Sequence, residues 1–259
     1  MNIVVCIKQV PGTTDIKIDP KTNTLIREGV QSIINPFDYY AIEEGVRLRE
    51  KCGGKVTVIT MGPPQADAAL REAISLGADE AVLVSDRAFA GSDTWATSYV
   101  LSKAIQKIGT FDLIICGKQT LDGDTGQVGP GIAEMLKIPF VAYVSKIEDI
   151  SNGCMRVQRM IEEGHETVES SLPAVITVSK EINVPRLPSI RGTMKSKNAK
   201  IPVWTANDIG AEADKAGLTG SPTRVVKIFF PKRERKSEMI AGNTGEQVDK
   251  LINKLEGIL

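Results

Sequence analysis

The chain has 259 residues, 42% hydrophobic and 25% charged, an ordinary globular composition sufficient for one large α/β domain or two small ones. Lysine plus arginine and aspartate plus glutamate each number 32, so no global charge imbalance points to nucleic acid or to an anionic membrane. The four cysteines, Cys6, Cys52, Cys116 and Cys154, are far apart without a C-x-x-C pair, which argues against a zinc site and suits a reducing, cytoplasmic setting.

Residues 1–10 form an apolar run broken by Lys8, too short to cross a bilayer and without a signal peptide's basic start and cleavage site. They read as a buried first strand over 3–7. Asn35 followed by Pro36 predicts an N-cap and first helical turn, Phe37, Ala41, Gly45 and Leu48 mark one face, and Gly53-Gly54 stops the helix. Residues 56–60, 81–84 and 113–116 repeat the strand pattern. Helices are predicted between them, over about 64–76 ending at Gly77, and from near Asp93 through Ala96, Val100, Ala104 and Ile108. This alternation predicts an α/β fold, a mostly parallel Rossmann-like sheet with helices on both faces.

After Pro139 the pattern changes. Residues 140–147, 155–161 and 165–170 read as extended segments joined at Asn152-Gly153 and Glu163-Gly164, since Asn-Gly tolerates the positive φ of a tight hairpin turn. Residues 172–178 form another buried strand, so antiparallel strands are expected beside the parallel core. Residues 179–203 are rich in Pro, Lys and Arg and show no period. From 232 a polar loop leads into an amphipathic helix striped by Ile252, Leu255 and Ile258, an arm that packs on a partner subunit or folds back on its own domain. The expected division is an α/β nucleotide-binding domain over 1–224, including a segment 183–200 of separate character, and a C-terminal arm over 225–259.

In open α/β sheets ligands bind where loops converge at the carboxyl ends of the strands. Gly62-Pro63-Pro64 and Ser92-Asp93-Thr94 leave such ends, but the richest loop is 117–130, from the strand ending at Cys116 into a helix through Ala133 and Leu136. Its glycines admit close backbone approach to phosphate, and a helix N-terminus supplies free amides. Asp122 and Asp124 would repel phosphate, leaving them to bind ribose, cap the helix or order the loop. The loop is neither G-x-G-x-x-G nor a Walker sequence, which disfavours a Rossmann dehydrogenase or P-loop NTPase. His165 lacks a nucleophile motif nearby and reads as a surface hairpin residue; Glu162 and Glu163, adjacent on a strand, would face opposite ways. Trp95 and Trp204 read as packing residues.

Four stretches carry a resemblance to electron transfer flavoprotein β subunits along nearly the whole chain: V-C-I-K-Q-V-P, I-N-P-F-D-Y-Y-A-I-E-E-G-V-R-L-R-E, G-K-Q-T-L-D-G-D-T-G-Q-V-G-P, and L-P-A-V-I-T-V followed by N-V-P-R-L-P-S-I-R-G-T-M-K-S-K. The resemblance implies an adenine-nucleotide α-hydrolase-like sheet and a heterodimer with an α subunit, in which this chain binds an adenine nucleotide and helps hold the α subunit's FAD. In ordinary members the nucleotide is AMP. In the electron-bifurcating branch, which the loop 122–130 and Ser92-Asp93-Thr94-Trp95-Ala96-Thr97 resemble more, it is a second FAD. That flavin takes hydride from NADH and divides the electrons between ferredoxin or flavodoxin and, through the α-subunit FAD, an acyl-CoA dehydrogenase.

By the same resemblance Cys6, Asn35, Pro36, Phe37, Asp38 and Gly62 surround the adenosine. Thr94 and Thr97, with Asp122, Gly123, Asp124, Thr125, Gly126, Gln127, Val128, Gly129 and Pro130, meet ribose and phosphates. Asp93, Gly117, Lys118 and Gln119 complete the cofactor-binding set. No side chain is assigned as an acid–base catalyst, because the chemistry belongs to the flavin, and no metal is expected. Residues 185–194 resemble the loop that docks on the dehydrogenase, with Pro188, Ile190, Arg191, Met194 and Lys195 as docking residues. Ile190 stands where the family places an apolar anchor, often Leu, and Arg191, Lys195, Lys197 and Lys200 would steer an acidic partner.

Overall fold

The computed structural model describes residues 1–12, 17–18, 25–26, 32–226 and 237–256; Ile258 and the start of the polar loop expected from 232 lie outside them. The chain divides into two compact units, Met1–Val226 and Lys227–Leu259. In the first, β1 (Asn2–Cys6) leads through β2 (Gln9–Pro11), β3 (Lys17–Ile18), β4 (Leu25–Ile26) and β5 (Ser32–Ile34) into α1 (Pro36–Cys52). There follow β6 (Lys55–Met61), α2 (Asp67–Ser75), β7 (Glu80–Val84), α3 (Thr94–Ile108), β8 (Leu113–Gly117) and α4 (Val128–Leu136). Next come the long strands β9 (Phe140–Ser151), β10 (Cys154–Ile161) and β11 (Gly164–Ser171), then β12 (Ala174–Val178), α5 (Ile190–Asn198), β13 (Val203–Trp204) and α6 (Ala206–Ile209).

Nine strands make one sheet among the described residues, in the order β11-β10-β9-β12-β8-β1-β6-β7-β13. Every pairing from β9 to β13 is parallel, and only β9-β10-β11 is antiparallel. The period-2 alternation of strands explains the two cores. Ile3, Val5, Leu113 and Ile115 face α1 and α2 through Ala41, Ile42, Val46, Leu70 and Ile74, while Val4, Cys6, Ile114 and Cys116 face α3 and α4 through Val100, Ala104, Ile105 and Ile132. Asn152 and Gly153 both have positive φ, 52° and 75°, as the β9–β10 hairpin requires.

Four local expectations are corrected. Asn35 sits at the N-cap of α1 but its side chain caps nothing; it is committed elsewhere, to Asp38 and the loop after β8. Residues 190–198, which show no period, form the helix α5, capped by Ser189, whose Oγ accepts from Gly192 N at 2.9 Å. Its inward face is Gly192 and Ser196 rather than an apolar stripe, because a Cβ at Gly192 would stand 2.2 Å from Ser75 O. Trp95 is exposed rather than packed, whereas Trp204 lies against the second core with Lys107 Nζ 5.2 Å from its ring centroid. Glu162 and Glu163 form the turn between β10 and β11 instead of lying on a strand.

In the second unit, α7 (Thr244–Leu255) begins with a reciprocal capping box between Asn243 and Glu246. Val248, Leu251, Ile252 and Leu255 line one exposed stripe. No described helix is long and apolar enough to cross a membrane.

The packing of α4 yields a test. A Cβ at Gly129 would stand 2.7 Å from Thr177 Cγ2, so Gly129→Ala should cost about 1–3 kcal/mol through overpacking. Thr177→Ser removes that methyl and should restore much of the loss, read by urea denaturation of both single variants and the double variant.

Candidate functional site

The chain runs from β1 outward through α1, β6, α2 and β7, and then α3 carries it back to β8 on the other side of β1. The sheet order therefore reverses between β1 and β8, and the loops leaving these two strands part to open a crevice. Asp38, in the first turn of α1, lies beneath both exits. Its Oδ2 accepts from Lys8 N, just after β1, at 2.7 Å, and its Oδ1 accepts from Asn35 Nδ2 at 3.0 Å, while Gly117, at the end of β8, packs directly against it. A Cβ at Gly117 would sit 2.3 Å from Asp38 Oδ1, so glycine is needed here for the carboxylate to fit. Burial pushes the Asp38 carboxyl from 3.8 up to about 7 against the pull of Asn35, the Lys8 and Gly117 amides and the Lys8 charge.

Asn35 extends this node into the loop after β8. Its Nδ2 also donates to Gln119 O at 2.9 Å, and its Oδ1 accepts from Leu121 N at 3.2 Å. Both loop carboxylates are spent within the protein. Asp122 takes Lys8 Nζ on both oxygens at 2.7 and 2.8 Å, and Asp124, at φ 52°, accepts from Gln119 Nε2.

Above the node lies a cavity of about 350 Å³. Of the residues singled out in the sequence, it brings together Cys6, Asp38, Asp93, Thr94, Thr97, Gly117, Lys118, Gln119, Gly123, Thr125, Gly126, Gln127, Val128 and Gly129. Asn35, Pro36, Phe37, Gly62, Asp122, Asp124 and Pro130 do not line it; Asn35, Asp122 and Asp124 brace its wall, and Phe37 lines an adjoining groove. Ser92 and Thr120, which lie in loops the sequence pointed to, also line the cavity, and sequence reasoning missed Ile7, Lys8, Met61, Leu101 and Cys116 as lining residues. Helical spacing from Thr94 and Thr97 points to Leu101, and Cys116 is the register partner of Cys6. Lys8 and Met61 needed the sheet order.

Two helix N-termini meet at the cavity in different states. α3 is closed: Asp93 Oδ1 accepts from Trp95 N and Ala96 N at 3.0 and 3.1 Å, and Asp93 Oδ2 accepts from Thr223 N and Oγ1 at 2.9 and 2.8 Å. No side chain caps α4, whose first-turn amides follow Gln127 and Val128 on the cavity wall. Thr94 Oγ1 donates to Gln127 Oε1 at 2.8 Å and ties the two ends together. The adjoining groove, about 620 Å³, shares Lys118 with the cavity and has Phe37, Tyr143, Arg159 and Lys180 in its walls. Tyr143 holds φ 58°, an uncommon conformation for a bulky residue, its N–H bonded to Thr177 Oγ1 and Lys118 Nζ 5.1 Å from its ring centroid.

The segment after β12 is braced on α1 and α2. Arg186 bridges Glu43 and Glu50, Asn183 Nδ2 donates to Tyr40 O and Glu44, and Arg71 Nη1 donates to Ser196 O. Val184, Leu187, Ile190 and Met194 remain 63–87% exposed on this fixed support. Lys195 is not a free cation: its Nζ donates to Ala78 O at 2.9 Å.

Fold and crevice together define a doubly wound α/β protein with a glycine-walled cavity at its switch point. The model of the electron transfer flavoprotein domain matches residues 22–209. The chain is 54% identical over 256 residues to the electron transfer flavoprotein subunit beta of Thermoanaerobacterium thermosaccharolyticum, covering 98% of both chains. It is 48% identical over 258 residues to the caffeyl-CoA reductase–Etf complex subunit CarD of Acetobacterium woodii, covering 99% of this chain and 98% of that one. To the protein FixA of Azotobacter vinelandii it is 48% identical over 253 residues, 95% and 90% of the two chains. The chain belongs to the electron transfer flavoprotein β-subunit family, whose members pair with α subunits and serve electron transfer.

The Asp38 node predicts a pH dependence. With its carboxyl raised to about 7, the native state holds the proton more tightly than the unfolded chain, so stability falls as pH rises from about 4 to 7 and levels off above. The full span corresponds to roughly 4 kcal/mol. Denaturation midpoints of the native sequence should drop between pH 5 and 8, while Asp38→Asn should start lower and stay flat across that interval.

Proposed function

We propose that this chain is the β subunit of an electron-bifurcating flavoprotein, holding an FAD in the crevice between β1 and β8. The observation that carries the reading is the uncapped N-terminus of α4 opening on a cavity whose loop carboxylates are already engaged within the protein, Asp122 by the Lys8 ammonium and Asp124 by the Gln119 amide. Such a wall offers amides and positive potential beside carboxylates that are each held by protein donors, which suits a phosphate. α3, closed by Asp93, does not offer the same. Gly123 and Gly126 would let the diphosphate approach the backbone, Thr94, Thr97, Thr125 and Gln127 would hold ribose and phosphate oxygens, and Cys6, Asp38 and Gly117 would form the floor.

The cavity is near the lower end of the about 300–1,000 Å³ usual for small-molecule sites, enough for the adenylate half. The groove that shares Lys118, with the Phe37 and Tyr143 rings and the Lys118, Arg159 and Lys180 cations, supports room for a larger dinucleotide with a planar end. When bound, the flavin supplies hydride acceptance from NADH and the division of electrons between ferredoxin or flavodoxin and the α-subunit FAD. The chain's own residues bind it, orient it and set its surroundings. The CarD relative, named as part of a caffeyl-CoA reductase–Etf complex, supports delivery to an acyl-CoA dehydrogenase-type partner. The second reading, a structural AMP in place of FAD, is favoured by the cavity volume alone.

Co-purification with the α subunit separates the two readings. About two FAD per heterodimer and flavin bleaching by NADH are expected, whereas one FAD and one AMP with no NADH response would establish the second. Gly126, at φ 61°, lies 3.3 Å at its ideal Cβ from Lys118 O, so Gly126→Val should lower nucleotide content by about tenfold or more.

The braced apolar ridge is proposed to dock the dehydrogenase. Little order remains to be imposed on it at binding, which favours a hot spot. Ile190→Glu should weaken the dehydrogenase complex by about tenfold or more, measured by calorimetry, and leave the melting temperature and flavin content unchanged.

A further inference from the structure

Cys6 and Cys116 are direct register partners on the neighbouring parallel strands β1 and β8. Both side chains point to the α3–α4 face, and both line the floor of the cavity while only 7% and 6% exposed. Neighbouring strands lie about 4.7–4.9 Å apart, within the about 4.4–6.8 Å between Cα atoms that a disulfide spans. The neighbouring Cys6 thiol, burial and the nearby Asp38 carboxyl push the Cys116 thiol up. The other two cysteines, Cys52 and Cys154, are exposed and belong to other parts of the chain.

We infer that Cys6 and Cys116 form a dithiol modification site in the cavity floor, which a peroxide converts to a disulfide when the cavity holds no nucleotide and which a bound nucleotide protects. The second half of this inference rests on the nucleotide reading above. The reaction balances without a further partner. The two S–H bonds and the peroxide O–O bond break, one S–S bond forms, both sulfurs are oxidised, the peroxide oxygens are reduced, and two waters leave. A small oxidant can enter the cavity, but a nucleotide seated on its floor would cover both sulfurs. The disulfide in turn reshapes the floor against which the nucleotide rests, so oxidation and nucleotide binding oppose each other. Intracellular disulfides of this kind are typically transient and redox-sensing.

The test uses the full chain, stripped of nucleotide and then either left so or loaded with AMP or with FAD. Each sample is treated with hydrogen peroxide, its remaining thiols are blocked with N-ethylmaleimide, and it is mapped by mass spectrometry without reduction. A Cys6–Cys116 linked peptide is expected in the stripped chain and should fall by about tenfold in the loaded ones. The peroxide-treated chain should take up about tenfold less nucleotide and recover with dithiothreitol. In Cys116→Ser, peroxide should no longer change nucleotide uptake, whatever its starting level. Linkage only through Cys52 or Cys154, separate alkylation of Cys6 and Cys116 after peroxide, or equal linkage with and without nucleotide would overturn the inference. A reduced chain that takes up neither AMP nor FAD would instead overturn the nucleotide reading while leaving the linked peptide as a separate result.

Discussion

One buried carboxylate holds the crevice open and in register. Asp38 is 4% exposed, it accepts hydrogen bonds from Lys8, the second residue after β1, and from Asn35, and it packs against Gly117 at the end of β8. Burying a carboxylate is costly unless such donors hold it, so the two hydrogen bonds act as a unit, and losing either would leave charge or a donor unsatisfied in the interior. Backbone geometry follows from this. Gly117 must lack a side chain because the carboxylate occupies its Cβ position, and the loop beyond it is suspended from Asn35 at Gln119 and Leu121.

The same constraint gives meaning to the acidic residues of that loop. Asp122 and Asp124 look out of place beside a phosphate, yet each is bound to a neighbour, Lys8 or Gln119. Lys8 is thereby coupled twice to the node, through its amide to Asp38 and through its ammonium to Asp122. The Lys8–Asp122 pair is partly exposed and adds little stability by itself. Its larger effect is to fix the loop over the strand it came from and to remove two charges from the cavity's field.

Much of this architecture was legible in the sequence, for reasons that separate local from tertiary information. The strands β1, β6, β7 and β8 declare themselves as short apolar runs, and Asp93 and the Asn152-Gly153 turn carry their signals within two or three residues. What stayed hidden depends on partners distant in sequence. Asn35 looks like a cap and is a brace, because the acceptor that claims it lies 84 residues away at Gln119. Gly129 looks like a phosphate-loop glycine, but the group that demands its missing Cβ is Thr177 on β12. α5 shows no hydrophobic period because it is seated by a glycine and a serine against α2 while its apolar residues face outward.

α1 links the two surfaces proposed for function. Its first turn supplies Asp38 to the crevice, and later turns supply Glu43 and Glu50 to Arg186, which braces the apolar ridge. Asp38 and Glu50 are about 18 Å apart along a straight helix. A helix of 17 residues, buried along much of its length against β1 and β8, transmits displacement as a rigid body rather than absorbing it. Crevice and ridge are thus held at a set separation by one element. Motion of one of these surfaces relative to the other must then arise outside this helix.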